Sequence, residues 1–124
     1  CQYEFIKWKY KIFENMAKPL NFNTRLPDKR TGNIYKSYSF YVTSNPELNI
    51  FYSESYIDNK KVIPRNLFHK YTGLSLATHI MDDGSRNGNS IILNTQSFSV
   101  DDVEFYIQFL YEKFGIQSIH RYEA

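Results

Sequence analysis

Residues 73–84 read GLSLATHIMDDG and decide the fold. This segment predicts a short apolar helix over 73–83, and Gly84 closes it because glycine readily ends a helix. The helix finishes on Asp82 and Asp83, where the negative end of the helix dipole disfavours acids by a few tenths to about 1 kcal/mol each. A local rule broken in this way often marks a site, and a divalent cation would relieve the repulsion.

The residues themselves leave three interpretations of the two acids open. The first is an ordinary turn in which both carboxylates are solvated. The second is a calcium loop, whose opening oxygens and sharp-turn glycine are matched by Asp83, Ser85, Asn87 and Gly88. Asn94, however, stands where that loop needs its closing glutamate. The third is a magnesium site, in which one or two carboxylates share a hydrated ion with the phosphates of a substrate.

Downstream of this segment, strand and helix patterns alternate. The predicted elements are a loop at 85–89, a strand at 90–97, a helix between Ser99 and Gly115, and a last strand at 116–122. Ser99 is expected to cap the helix, with Asp102 in the reciprocal capping position. Gly115 is expected to end it.

Upstream, the same patterns predict a helix, a strand and a second helix. In order, these are a helix over 3–17 that ends before Pro19, a polar loop or hairpin tip at 21–33, a strand at 34–43, a short helix from Asn45 to about Tyr56, and a basic connector at 60–65. Hydroxyl groups line one face of the strand, at Tyr35, Ser37, Ser39, Tyr41 and Thr43. Mixed helices and strands with short connections indicate an α+β fold.

The composition is that of one ordinary domain, with 124 residues, 42% hydrophobic and 23% charged. Its longest apolar runs are too short to span a membrane, and the single cysteine, Cys1, excludes an internal disulfide. An intracellular protein of the cytoplasm, nucleoid or an organelle matrix fits best. Residues 1–36 hold eight Lys and Arg against three acids, whereas residues 37–124 hold seven against ten. This asymmetry suits a phosphate-bearing partner and equally suits a solvated helix face.

Three stretches resemble a known family. LSLATHIMDDGSR (74–86) and SIILNTQSFSVDDVEFYIQFLYEKFGI (90–116) are similar to the LAGLIDADG homing endonucleases whose motif reads L-A-x-x-x-M-D-D-G. KKVIPRNLF (60–68) resembles the connector before the second motif of two-motif members. The likeness is close over 57–116, whereas 1–56 resembles the later part of a preceding repeat only loosely.

The resemblance implies two α/β repeats whose motif helices pack together, with two antiparallel sheets lying as saddles in the DNA major groove. Asp83 would be the catalytic acid that binds Mg²⁺ above a scissile phosphate, with Asp82 supporting the metal site. The helix packing residues would be Leu74, Ala77, Thr78 and Met81. Thr78 and His79 depart from the apolar residues most common at their positions.

The resemblance also assigns DNA contacts to the strands and loops. Base contacts are expected from amides and hydroxyls, at Asn94, Gln96, Tyr35, Ser37, Ser39 and Tyr41. Phosphate contacts are expected from cations, at Lys29, Arg30, Lys60, Lys61, Arg65 and Arg86.

These expectations describe a sequence-specific, Mg²⁺-dependent endonuclease of double-stranded DNA. An intron RNA maturase of the same fold and a non-catalytic DNA-binding protein are the alternatives. The chain is expected to join the later part of one repeat (1–56), a connector (57–72) and the start of a second repeat (73–124). Since only one motif helix is present, the second would come from missing sequence or from a second chain in a homodimer.

Overall fold

The computed structural model describes residues 3–122. Its contacts divide the chain into two compact units, Cys1–Asn49 and Ile50–Ala124. Helices and small antiparallel hairpins make up both units, so the predicted α+β class is confirmed. Within the described residues, every helix is too short or too polar to cross a bilayer.

The first unit packs one helix against one hairpin. Helix α1 (Tyr3–Phe13) continues into a 3-10 turn (Glu14–Met16), and strands β1 (Asn21–Thr24) and β2 (Lys36–Ser39) pair antiparallel. Aromatic rings join helix to hairpin, because the ring of Tyr3 lies 4.7 Å from that of Tyr38 and Tyr10 meets Phe40 edge-on at 5.5 Å. Such ring pairs add about 0.5–1.5 kcal/mol beyond the area that they bury.

The sequence prediction for this hairpin was correct only in part. The predicted strand at 34–43 is regular over 36–39, with an isolated bridge from Val42 to Ala17. Part of the predicted loop at 21–33 is wrong, because residues 21–24 form β1. The sequence NFNT has weak strand propensity, and it is held by backbone pairing with β2 rather than by its own pattern.

A short helix and a tight hairpin follow, and the boundary between the two units falls within the helix. Asn45 caps a 3-10 turn (Pro46–Leu48), its Oδ1 accepting from the Glu47 N–H at 2.9 Å, and helix α2 (Asn49–Ser55) follows as predicted. Strands β3 (Tyr56–Ile57) and β4 (Lys60–Lys61) then pair around Asp58 and Asn59, both of positive φ. The predicted connector at 60–65 therefore starts as a strand, and helix α3 (Leu67–Lys70), which was not predicted, follows it.

The helix over 73–83 is confirmed as α4 (Gly73–Asp83). Thr72 begins it with a capping box, since the Ser75 N–H donates to the Thr72 hydroxyl at 3.3 Å and the Thr72 N–H donates to the Ser75 hydroxyl at 3.1 Å. The predicted loop at 85–89 is wrong, because β5 (Gly84–Asn87) and β6 (Ser90–Leu93) form a hairpin directly after the helix. The predicted strand at 90–97 is correct only as far as Leu93.

Helix α5 (Val100–Phe114) carries the core of the second unit. Ile63, Tyr106, Phe109 and Leu110 form a buried cluster, and Gly115 ends the helix at φ 68° as predicted. The predicted strand at 116–122 is wrong, since these residues form no regular element. The Ile116 N–H instead donates to the Leu110 carbonyl at 3.3 Å, within the turn that ends the helix.

The start of α5 is fixed by a buried acid. Asp102, 5% exposed, was expected to accept from the Ser99 backbone; its carboxylate accepts instead from the Ser99 hydroxyl at 2.9 Å and from the Arg65 guanidinium at 2.9 Å. Arg65 also stacks over the Phe105 ring at 4.3 Å. Its charge is thus used within the protein, while the expected phosphate contact stays a prediction.

We predict that Arg65→Gln lowers the free energy of unfolding by about 1–3 kcal/mol, because a buried carboxylate loses its charged partner. Urea denaturation measures this loss. Arg30→Gln, which removes an exposed charge in the first unit, is the control and should change stability by less than about 0.5 kcal/mol. Equal effects of the two substitutions would contradict a structural role for Arg65.

Candidate nucleic-acid interface and metal site

The two acids lie at the foot of α4, and both are exposed. The backbone carbonyl of Asp83 accepts from the Asn94 N–H at 3.4 Å, which ties the helix foot to the end of β6. Helix α4 lies against both strands of the hairpin. Asp83 is therefore presented to solvent at the junction of a helix and a hairpin.

Gly84 makes this junction possible. A Cβ atom built on Gly84 would lie 2.3 Å from the backbone oxygen of Ile80, far inside van der Waals contact. The Gly84 N–H donates to the same oxygen. The hairpin can start immediately after Asp83 only because this position has no side chain.

The donor atoms at the helix foot suit a shared magnesium ion. Among the described residues, no group of three or more His, Cys, Asp or Glu side chains comes together. Asp82 and Asp83 offer carboxylate oxygens, and Mg²⁺ is usually held by one or two carboxylates together with substrate phosphates and waters. The calcium-loop interpretation is wrong, because the residues that it needs form the regular β5–β6 hairpin.

The inner face of α4 meets the aromatic core. Leu76 packs against the buried cluster, and His79 Nδ1 lies 3.1 Å from the Tyr71 hydroxyl and 3.0 Å from the Tyr106 hydroxyl. Burial lowers the pKa of His79, an effect that the negative charge of Asp83 partly opposes. The imidazole is therefore neutral near pH 7.

The opposite face of α4 carries the four predicted packing residues. Leu74 is 63% exposed and Met81 47% exposed, and Ala77 is exposed as well. Thr78 is partly buried, and its hydroxyl donates to the Leu74 carbonyl at 2.8 Å. We call these four residues the outer stripe. Their spacing of three, four and seven residues places them along one side of the helix.

The β5–β6 hairpin presents a polar face that the sequence interpretation missed. Ser85 pairs with Ile92 and Asn87 with Ser90, so that three polar residues, Ser85, Asn87 and Ser90, share one face with Ile92. Arg86 lies on the other face and its Nε donates to the Gly88 carbonyl at 3.1 Å. The Asn87-Gly88 dipeptide is the sequence signal that could have revealed the hairpin.

A shallow hollow of about 510 Å³ lies between α4 and this hairpin. Its lining combines apolar and polar side chains, from Ile80, Gly84, Ser85, Arg86, Gly88, Asn89, Ser90 and Ile91. The hollow opens beside the helix foot, so a group bound there would lie near Asp83.

In the second unit, the predicted base-contact residues lie outside the strand. Asn94 follows the end of β6, and Gln96 lies in a turn that the Phe98 N–H closes on the Thr95 carbonyl at 3.0 Å. Both side chains are exposed. The predicted arrangement, with both amides on one strand face, is wrong because the strand ends at Leu93.

In the first unit, the predicted polar face is present and is larger than expected. Ser37 pairs with Asn23 and Ser39 with Asn21, so β1 adds two amides to the hydroxyls of β2. Tyr35 and Tyr41 flank β2 and are 50% and 64% exposed. Side-chain hydrogen bonds to Asn33 and then to Thr31 lower the pKa of Tyr35.

The predicted phosphate contacts lie at hairpin ends. Lys29 and Arg30 are exposed in the β1–β2 connection, where Asp28 Oδ1 accepts from the Arg30 N–H at 2.8 Å. Lys60 and Lys61 are exposed on β4, and the Lys61 ammonium lies 5.0 Å from the centre of the Phe98 ring. Positive charge thus lies in the β1–β2 connection and on strand β4.

An α+β chain in which a helix ending in two acids runs straight into a polar hairpin has the architecture of the LAGLIDADG proteins. Residues 1–123 match the model of the LAGLIDADG DNA endonuclease family. The chain belongs to this family.

Relatives and a solved structure support this assignment. Cytochrome b mRNA maturase bI2 of Saccharomyces cerevisiae is 32% identical over 129 residues, covering 95% of this chain and 30% of the relative. The protein of the same name from Debaryomyces hansenii is 28% identical over 120 residues, covering 93% and 45%. The homing endonuclease I-WcaI bound to its DNA recognition sequence superposes with a TM-score of 0.70 at 25% identity, covering 90% of this chain and 53% of that one. The chain spans less than half the length of these curated relatives.

We predict that Gly84→Ala destabilises the fold by about 1–3 kcal/mol, because the added methyl must displace the backbone of Ile80. Thermal or urea unfolding measures the loss. Gly73→Ala is the matched control, since a Cβ atom there meets nothing within 4 Å and alanine favours a helix by up to about 1 kcal/mol. If both substitutions were neutral, the close approach at the helix foot would be disproved.

Proposed function

We propose that this chain is part of a sequence-specific endonuclease that cleaves double-stranded DNA with the help of Mg²⁺. The observation that carries the proposal is the position of Asp83, which is exposed at the foot of the family's motif helix and adjoins a polar hairpin. A carboxylate so placed can hold a cation against a phosphate that lies over the hairpin.

Asp83 is the proposed catalytic residue, and Asp82 supports the same metal site. A magnesium ion bound there would stabilise the negative charge that develops on the phosphate during hydrolysis. The acids stay in water at the end of the helix, so their ionised form suffers little desolvation. Their oxygens are therefore accessible to a cation from solvent.

The two polar hairpin faces are the proposed base-reading surfaces. A two-stranded ribbon fits the major groove of B-DNA, and asparagine amides can pair bidentately with adenine. The faces comprise Asn21, Asn23, Ser37 and Ser39 in one unit and Ser85, Asn87 and Ser90 in the other, with Tyr35, Tyr41, Asn94 and Gln96 beside them. Lys29, Arg30, Lys60, Lys61 and Arg86 are the proposed phosphate contacts, which position the protein rather than specify sequence.

A second motif helix is needed for a double-strand break, because each strand requires its own acid. Three of the four residues of the outer stripe, Leu74, Ala77 and Met81, are apolar and exposed, and the small residues at positions 77 and 78 would admit a close helix. We propose that this partner helix comes from the rest of a longer protein or from a second copy of the chain. In either case the chain supplies the end of one repeat (1–56), a connector (57–72) and the start of another repeat (73–124).

RNA maturation is the second candidate function. It is favoured by the names of both curated relatives, which are mRNA maturases and align with more than nine-tenths of this chain. A maturase needs the fold and its basic surface to bind RNA, whereas it does not need Asp83 to hold a metal. Substitution of Asp83 therefore separates the two functions, and also separates cleavage from DNA binding without catalysis.

We predict that Asp83→Asn lowers the rate of DNA cleavage by about a thousandfold or more, as loss of a catalytic group typically does. The substitution preserves volume, and removing an acid from a helix end should raise stability by up to about 1 kcal/mol. Cleavage of a supercoiled plasmid bearing the target site, assayed with Mg²⁺, measures the effect. Asp101→Asn, an exposed acid in the first turn of α5, is the control and should cut normally.

The form of the product tests the need for two acids. The monomeric chain should yield nicked plasmid and no linear product, and sedimentation checks its mass. Linear DNA formed in one binding event by a monomer would mean that a second active site exists, and normal cutting by Asp83→Asn would refute the catalytic assignment.

We predict different effects for a phosphate contact and for a base contact. Lys60→Ala should weaken binding to all duplexes alike and reduce the slope of log K against log salt by about one unit. Asn87→Ala should instead relax preference at one base pair, at a cost of about 1–3 kcal/mol on the best site. Fluorescence anisotropy on specific and random duplexes measures both, and equal losses for Asn87→Ala on the two duplexes would exclude base reading.

A further inference from the structure

Three polar side chains meet within the aromatic core of the second unit. The Tyr71 and Tyr106 hydroxyls lie 2.8 Å apart, and His79 Nδ1 lies 3.1 Å from the first and 3.0 Å from the second. We call Tyr71, His79 and Tyr106 the polar triad. It joins the motif helix α4 to α5 and to the residue just before the capping box of α4.

The three groups of the polar triad are uncharged. Burial lowers the pKa of His79 and raises the pKa of both tyrosines, so all three groups are neutral near pH 7. A neutral imidazole has one nitrogen that donates and one that accepts, and a hydroxyl can do both. In either tautomer of His79, hydrogen bonds can therefore join Nδ1 to one hydroxyl and the two hydroxyls to each other.

Rigid neighbours hold the two tyrosines. Tyr106 is 5% exposed and stacks on Phe109 with the ring centres 6.0 Å apart. Tyr71 meets the ring of Phe109 edge-on at 5.5 Å. The two hydroxyls are thus fixed at the most buried part of α5, and their contacts with Nδ1 fix the position of His79 relative to α5.

His79 is four residues before Asp83, which is about one helical turn or 6 Å along the axis. On this side of α4, Leu76 gives apolar support, whereas the outer stripe is exposed. The polar triad is therefore a directional side-chain contact one turn above the helix foot, where the Asn94 N–H holds the backbone carbonyl of Asp83. Rotation or sliding of α4 would break it.

We infer that the polar triad positions the Asp83 carboxylate, so that Tyr71, His79 and Tyr106 act as positioning residues for the reaction. That Asp83 is catalytic rests on the proposed function. That the polar triad holds the end of α4 does not depend on it. Loss of the triad should loosen the last turn of α4 while the aromatic packing of α5 persists.

The first test measures backbone hydrogen exchange of the intact chain by NMR. In Tyr106→Phe and His79→Leu, the amides of residues 80–83 should exchange about tenfold faster relative to the amides of α5. Tyr111→Phe removes a hydroxyl from an exposed position of the same helix (55% exposed) and should change nothing. His79→Asn, whose side-chain amide can accept or donate a hydrogen bond in place of Nδ1, should restore part of the protection.

A second measurement uses Mn²⁺ as the probe, followed by broadening of amide signals near Asp83. Wild-type and Tyr111→Phe proteins should bind alike, and Tyr106→Phe should bind about 10–100-fold more weakly, as loss of a supporting contact behind a ligand does. A purely structural role for the triad would lower the melting temperature without changing Mn²⁺ affinity at a temperature where every variant is folded.

The outcomes separate the inference from the proposed function. Unchanged relative exchange at residues 80–83 in both Tyr106→Phe and His79→Leu overturns the inference, as does wild-type Mn²⁺ affinity in these variants. If wild-type protein shows no broadening near Asp83, the proposed metal site fails, and the exchange measurement still decides whether the triad holds the helix foot.

Discussion

The packing of the inner face of α4 on the aromatic cluster of α5 determines where the two acids at the helix foot lie. Leu76 and His79 make this contact, and the direction of the helix then sets where Asp83 lies. Because β5 begins at Gly84, directly after the helix, the direction of α4 also sets where the hairpin starts. A shift of α4 would consequently move both Asp83 and the hairpin.

The same helix is subject to an electrostatic conflict at its foot. Two acids at the negative end of a helix lower its stability by up to about 1 kcal/mol each. Both of these acids are exposed. Asp102, at the start of α5, is by contrast buried, and its carboxylate accepts hydrogen bonds from Arg65 and Ser99. The protein thus buries a structural carboxylate beside an arginine and leaves both motif carboxylates exposed at the helix foot.

Sequence patterns identified the elements that depend on residues close together in the chain. The bounds of α4, the Ser99 cap and the glycine end of α5 follow from capping residues and helical spacing, and all three were predicted correctly. The hairpins were not, because NFNT and GSRN are polar, exposed strands without alternation. Their stability comes from backbone pairing across a turn, which propensity does not reveal. The catalytic candidate was accordingly visible in the sequence, while Asn21, Asn23 and Asn87 emerged only with the strand register.

The polar triad lies beyond any local pattern, since its members are separated by 8, 27 and 35 residues along the chain. In the sequence, His79 is merely a polar residue in an apolar helix, which argues against that helix being well packed. In the structure, His79 instead lies within hydrogen-bonding distance of two tyrosine hydroxyls on the packed side of the helix. Apolar packing on all sides of α4 would cover the outer stripe. Directional hydrogen bonds on the inner face fix the rotation of α4 with a small contact area and leave Leu74, Ala77 and Met81 exposed, as the proposed pairing with a second helix requires.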